Sequence, residues 1–405
     1  MDPAPPIAIH EVIPTEILAI IFEEHAELEW RAPAIDGQVC RIWRRVVLNT
    51  PRAWVHLKIC DDYHPSIEEL RLWLHRSGTA PLHIDIHVIT GIGWYDLFSD
   101  HHTRIASLRM LCGGDPSFFN ERDFPCLQLL HVKRWYPKHP PSFPPQCVSM
   151  PKLQSLRLGT TGWPAVPSDM LASLKLLMLY NNHLVSLSPC SQSLTRLMLV
   201  DVSLGDGILG PMAFPSLNYL SLYKVRGLKP RMDAPCLVTY HEGGCMLEES
   251  FDTPLPSLVE YGVCGLPASY SDPATWHLSF PNITRLALRA RQPVLLSFLD
   301  SLAHQPHSLP ALQVVSAGNS FEHVKIAEDI QKMMKNLIMV RSEACHKNVV
   351  LWVENGPPIF QIPIFFGNVG SPPIRQTCVL LTHILGTGMS LLIAESSPIH
   401  MYPAH

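Results

Sequence analysis

A short leucine pattern recurs along most of the chain and restricts the possible fold more than any other feature of the sequence. Six segments have the form L-x-x-L-x-L, with Ile, Val or Met at some apolar positions, and they start at residues 105, 127, 153, 174, 194 and 217. Weaker copies start at Leu237, Leu258, Ile283 and Leu312. Successive copies start 20 to 29 residues apart, and a proline precedes most of them. A strand of this kind cannot bury its apolar face alone, so we expect the copies to stack.

The period and the pattern are those of leucine-rich repeats. Ten copies in phase argue against the alternative, a β sandwich made of ordinary alternating strands. We therefore predict a chain of the α+β or α/β class, in which residues 101–345 form a leucine-rich-repeat-like solenoid with a parallel sheet on its concave face. The proline before each copy is expected to mark the turn that leads into the strand.

Ahead of the repeats, residues 11–59 show helical rather than strand-like spacing. One apolar stripe consists of Ile17, Leu18, Ile21 and Phe22, and a second consists of Val39, Ile42, Trp43, Val46 and Val47. Residues 1–10 are expected to be a disordered, proline-rich lead-in, and residues 60–100 a linker helix with a first strand. Residues 346–405 form a C-terminal tail to which the sequence assigns no role.

Three motifs follow one another in the segment 11–59: IPTEILAIIF at 13–22, VCRIWRR at 39–45 and NTPRAW at 49–54. Together they resemble the F-box, in the form that is common in fungi. Two positions depart from the usual pattern. Ile13 stands where leucine is usual, and Asp36 stands where an apolar residue, commonly leucine, is expected.

The resemblance implies a specific partner. An F-box docks on a Skp-family adaptor, which joins a cullin scaffold carrying a RING subunit. The chain would then be the substrate-recognition subunit of an SCF-type E3 ubiquitin ligase, without catalytic residues of its own. The alternative is a leucine-rich-repeat protein-binding scaffold with a degenerate F-box that is not linked to ubiquitination. The residues that match the adaptor-binding motif are Pro14, Ile17, Leu18, Ile21, Phe22, Val39, Cys40 and Trp43.

The residues that flank the last two leucines of each repeat are expected to point outward from the concave sheet. In the middle of the array they are apolar and aromatic, with arginines at the flanks, as is typical of a protein-binding surface. The predicted target-binding residues are Arg157, Met178, Tyr180, Arg196, Met198, Tyr219, Tyr223, Arg285 and Arg289. The alternative is that another segment of the same chain covers this face.

Composition excludes several other classes of protein. The net charge of −4 lacks the basic excess that nucleic-acid binding needs. The 11 cysteines are scattered and form no C-x-x-C pair, as in a cytoplasmic or nuclear protein with reduced thiols. We expect no signal peptide and no membrane span, since the apolar run from Val379 to Ala394 is short and interrupted. No nucleotide, metal or nucleophile motif occurs, so neither a cofactor nor a metal is predicted.

Overall fold

The protein was analysed as a computed structural model, and the chain divides into two compact units, residues 1–193 and 194–405. The expected disordered lead-in, residues 1–10, lies outside the residues that the structure describes. Those residues are 13–60, 65–87, 92–111, 116–119, 122–134, 149–160, 171–181, 183–184, 187–204, 212–225, 232–244, 255–264, 281–290, 292–305, 307–319, 332–333, 335–337, 339–340, 350–353, 379–383 and 390–394.

The first unit opens with three helices, α1 (Thr15–Leu28), α2 (Ala32–Val39) and α3 (Arg41–Leu48). Pro14 precedes the first turn of α1, where a missing backbone N–H breaks no helical hydrogen bond. Cys40 caps α3, because its Sγ accepts a hydrogen bond from the Trp43 backbone N–H at 3.4 Å.

A short 3-10 turn, Pro51–Trp54, joins the helices to the sheet. The indole N–H of Trp54 donates to the carbonyl of Val47 at 2.8 Å, and the hydroxyl of Thr50 donates to the carbonyl of Val46 at 2.8 Å. Both carbonyls lie at the C-terminal end of α3, where they also accept from the backbone N–H groups of Asn49 and Thr50, so the side-chain bonds reinforce the end of the helix.

The sheet of the first unit contains β1 (His56–Ile59), β2 (Leu82–Ile86), β3 (Ile105–Met110), β4 (Leu129–Arg134), β5 (Ser155–Thr160) and β6 (Leu176–Tyr180). These strands pair in parallel and in chain order. Helix α4 (Ile67–Arg76) lies between β1 and β2, and α5 (Ile92–Ser99) lies between β2 and β3. The segment that the sequence assigned to a linker, residues 60–100, therefore supplies β2 to the same sheet as the repeats, and the sheet begins still earlier, at His56. A two-residue strand, β7 (His183–Leu184), follows β6.

The second unit continues with β8 (Arg196–Val200), β9 (Ser203–Leu204), β10 (Met212–Ala213), β11 (Tyr219–Tyr223), β12 (Met232–Asp233), β13 (Thr239–Gly243), β14 (Glu260–Cys264), β15 (Arg285–Ala290), α6 (Gln292–His304), β16 (Val314–Asn319) and β17 (Val350–Val353). Its main sheet is parallel in the order β8-β11-β13-β14-β15-β16-β17. In the C-terminal tail, β18 (Val379–His383) and β19 (Ser390–Ala394) pair antiparallel.

Each repeat starts with a buried apolar residue, and most of the copies have a turn before it. The first apolar residue of all ten predicted copies is at most 1% exposed. In the copies that start at Leu127, Leu153, Leu217, Leu237, Leu258 and Leu312, its N–H donates to the carbonyl three residues earlier, and a proline follows that carbonyl residue. Proline favours the second position of such a turn because its φ is already fixed. The expected role of the prolines is confirmed.

The turns that leave the strands are equally regular. The residues directly after β6, β8, β11 and β13 all have φ between 49° and 59°: Asn181, Asp201, Lys224 and Gly244. The N–H groups of Asp201, Lys224 and Gly244 each donate to the carbonyl of the last residue of the next strand, at 2.7 to 3.1 Å. Both units are thus parallel-sheet solenoids, compatible with leucine-rich repeats, and the parallel pairing excludes the β sandwich.

Candidate functional site

The first helix exposes an apolar stripe to solvent. Ile17, Ile20 and Ile21 of α1 are 47%, 54% and 44% exposed, and their spacing of i, i+3 and i+4 places them on one helix face. Leu28, at the end of the same helix, is also exposed. Neighbouring exposed aliphatic side chains of this kind are typical of a binding surface.

The next two helices also expose aliphatic side chains. Ile35 and Val39 of α2 are spaced i, i+4 and are each more than half exposed, and Leu48 at the end of α3 is exposed too. We call the exposed aliphatic residues of α1–α3 the helical stripe: Ile17, Ile20, Ile21, Leu28, Ile35, Val39 and Leu48. The sequence analysis selected three of them, although the i, i+3, i+4 spacing also pointed to Ile20.

The residues matching the adaptor-binding motif separate into two groups. Pro14, Ile17, Ile21 and Val39 are exposed, and Cys40 and Trp43 are partly exposed. By contrast, Leu18 and Phe22 are each only 1% exposed. They are thus corrected from contact residues to core residues, because one side of an amphipathic helix must pack against its own bundle. The Phe22 ring lies 5.1 Å from that of Trp43, which ties α1 to α3.

The side chain of Asp36, the residue that departs from the usual motif, has a partner within the bundle. The Asp36 side chain is buried, and its Oδ2 lies 3.1 Å from Nδ1 of His25, which links α2 to α1. Arg44 donates through Nε to the Gly37 carbonyl at 2.7 Å and links α3 to α2. A buried carboxylate is tolerated when it is paired, so polar contacts hold this end of the bundle while Ile35 stays in solvent.

On the sheet, alternate residues face away from the leucine core, and we call that side the open face. In the first unit Arg157 and Tyr180 lie there and are partly exposed, whereas Met178 is only 6% exposed. Met198 of the second unit is similarly buried, at 5%. The prediction that these methionines form an exposed binding surface is corrected, because strands only about 4.8 Å apart let neighbouring side chains cover each other.

The open face of the second unit carries a continuous row of contacts across five strands. Arg196 lies over the ring of Tyr219, 4.9 Å from its centroid, and that ring lies 5.8 Å from the ring of His241. His241 Nε2 is 3.2 Å from the Glu260 carboxylate, which is 4.0 Å from Arg285. Three of the predicted target-binding residues, Arg196, Tyr219 and Arg285, therefore belong to one ordered surface. Burial raises the pKa of Tyr219, so its hydroxyl stays protonated at neutral pH.

Glycine at position 262 makes room for this row. A Cβ on Gly262 would lie 2.7 Å from the ring of His241, so a larger residue would displace the imidazole. Tyr223 lies on the same face of β11, two residues beyond the position that pairs with His241, and it is partly exposed. Arg289 belongs to β15, but its side chain lies outside the described residues.

The described residues include no group of three or more histidine, cysteine or acidic side chains arranged to hold a metal. In the same part of the chain, no helix is both long and apolar enough to cross a membrane. In the described part of the chain, the candidate binding surfaces are the helical stripe and the two open faces. No protein-family model matches the chain, and no curated protein matches its sequence.

Proposed function

We propose that the chain is the substrate-recognition subunit of an SCF-type E3 ubiquitin ligase that works in the cytoplasm or nucleus. Its three helices act as an F-box that docks on a Skp-family adaptor, and its leucine-rich repeats bind the target through their open faces. The observation that carries the proposal is the exposed row of Ile17, Ile20 and Ile21 on the helix that contains the F-box-like motif.

The energetics of the helical stripe favour docking. Complete burial of an aliphatic side chain contributes about 1.5–3 kcal/mol, so covering three half-exposed isoleucines adds about 2–4 kcal/mol. The remaining stripe residues increase this figure, and a few such anchors suffice for a specific interface. Leu18 and Phe22 support the docking face from within the bundle, where they hold α1 in position.

The function requires no chemistry from this chain. The adaptor would connect it to the cullin and RING subunits, and the repeats would hold the target close to the ubiquitin-carrying enzyme. A parallel sheet with a continuous core suits this task, because its side chains are held on a rigid element.

Co-expression with a Skp-family adaptor tests the proposal, and the chain offers a matched pair of variants. Ile21 of α1 and Leu72 of α4 are each 44% exposed, so Ile21→Asp and Leu72→Asp place a charge at equally exposed positions. We expect the unmodified chain and Leu72→Asp to co-purify with the adaptor and Ile21→Asp to lose it. A chain that is soluble alone and ignores the adaptor would be the scaffold with a degenerate F-box. Co-purification of Ile21→Asp would show that the helical stripe is not the docking surface.

A further inference from the structure

The open face of the first unit carries a row of charged residues that the target-binding prediction included only in part. Strand pairing places Lys58, Asp85, Arg109, His131 and Arg157 side by side, one on each of β1 to β5. We call these five residues the basic row. All of them are partly exposed.

The basic row has an excess of positive charge. Asp85 is the single carboxylate among the described strand residues of this face, and its Oδ1 already lies 2.8 Å from Nε2 of His87. Arg109 is paired through its backbone in β3, but its guanidinium makes no hydrogen bond or ion pair with another described residue. Lys133 extends from the same strand as His131 and is exposed.

His131 lies between the two arginines of the row. Burial, followed by the positive charges of Arg157 and Arg109, lowers the pKa of His131 to about 4. The imidazole is therefore neutral at pH 7 and does not add to the repulsion, while its ring N–H remains a hydrogen-bond donor. Arg109 and Arg157 lie on β3 and β5, on either side of His131, and a bound anion would relieve the repulsion between these two like charges.

We infer that the basic row binds an extended acidic segment of a partner protein, with carboxylates seated on Arg109 and Arg157. Guanidinium groups match carboxylates in a bidentate geometry. The two arginines lie two strands apart, or roughly 10 Å. An extended peptide in the polyproline II conformation has three residues per turn and advances about 3.1 Å per residue, so its side chains i and i+3 lie on one face about 9 Å apart. Acidic side chains three residues apart would therefore match the two arginines. The inference deepens the proposed function by naming the class of target, and it rests on that proposal only for what happens to the bound protein.

Peptide binding to the full chain tests the inference without the adaptor. The probe is a fluorescent 12-residue peptide with Glu at every third position and Ser between, compared with the same peptide carrying Gln. We expect the Glu peptide to bind at low salt and the Gln peptide to bind with an affinity that is lower by about ten-fold or more. Salt at about 0.5 M should lower the affinity for the Glu peptide. Equal binding of the two peptides, or no dependence on salt, would overturn the inference.

Variants locate the site. Arg109→Gln with Arg157→Gln should weaken the Glu peptide by roughly 100-fold, or about ten-fold for each guanidinium. Arg71→Gln, on the exposed face of α4 in the same unit, should bind as the unmodified chain does. If the double variant and the Arg71 variant bind equally well, the site lies elsewhere. Should the double variant fail to fold, the Gln peptide and the salt dependence on the unmodified chain decide the matter.

Two further outcomes are informative. Binding of the Gln peptide only after a serine is phosphorylated, without binding of the Glu peptide, would show that the row reads phosphate and would overturn the carboxylate assignment. A chain that binds the Glu peptide but ignores the adaptor would overturn the proposed ligase function and leave this inference standing. Adaptor binding without binding of the Glu peptide would overturn this inference and leave the proposed ligase function standing.

Discussion

Two histidines on the open face of the first unit should make the protein sensitive to mild acid. The pKa values of His56 and His131 are each lowered from 6.5 to about 4. For His56 the causes are burial and then the charge of His83, whose ring stacks on it with centroids 4.9 Å apart. For His131 they are burial and then the charges of Arg157 and Arg109. Both rings are thus held neutral in the folded chain.

The sign of the effect follows from where the proton binds. Between pH 6.5 and pH 4 each ring takes up a proton in the unfolded chain but not in the folded one, so the free energy of unfolding falls as the pH is lowered. The slope is about 1.4 kcal/mol per pH unit for each ring. From pH 6.5 to pH 5 this amounts to about 2 kcal/mol per histidine, which partial solvent access reduces to about 1–2 kcal/mol.

Unfolding at pH 7 and pH 5 measures the effect. We expect the unmodified chain to lose stability between these values, and the variant His56→Gln with His131→Gln to lose about 2–4 kcal/mol less. His75→Gln replaces an exposed histidine of α4 and is the matched control for the loss of a histidine side chain. An equal loss in the unmodified chain and the double variant would refute the reasoning, since other titrating groups are common to both.

Three smaller changes test individual contacts by thermal unfolding. Lys224→Gly should stabilise the chain by about 1 kcal/mol, because Lys224 has φ of 51°, a conformation that glycine adopts without strain; an unchanged or lower melting temperature would contradict this. Asp36→Ala should cost about 1–3 kcal/mol by removing the buried partner of His25, and a neutral result would mean that this contact does not hold α2. Trp54→Phe should cost about 1–2 kcal/mol, since it removes the indole donor to the Val47 carbonyl; full stability would mean that the remaining donor to this carbonyl, the Thr50 N–H, is sufficient.

The repeat architecture could be predicted from the sequence because its signals are local. A leucine that starts a repeat, such as Leu217, is buried wherever the strand lies, and the proline two residues before it sets the turn by its own φ. The left-handed residues after the strands left a readable signal as well, since Asn181, Asp201 and Gly244 are types that tolerate positive φ. Lys224 in the same position carries no such signal, and only the structure shows it.

The surfaces depend on contacts between residues that are distant in sequence, so the residue pattern predicts them less completely. Arg109 and His131 are 22 residues apart and become neighbours only through the strand register. Alternation placed Met178 on the open face but could not show that it is 6% exposed, because exposure is determined by the strands on either side. A binding surface on a solenoid is thus a property of neighbouring repeats, and single-repeat patterns identify its residues only in part.

Asp36 shows the same principle within the helices, and it bears directly on docking. Taken alone, an aspartate at an apolar position of an F-box-like motif suggests a weakened contact with the adaptor. The structure turns this side chain inward to His25, 11 residues earlier, which leaves the preceding Ile35 in solvent beside the exposed end of α2. The polar residue therefore takes a place in the bundle, and the exposed aliphatic residues of α2 stay in solvent, because successive residues of a helix point about 100° apart and an amphipathic helix buries only one side.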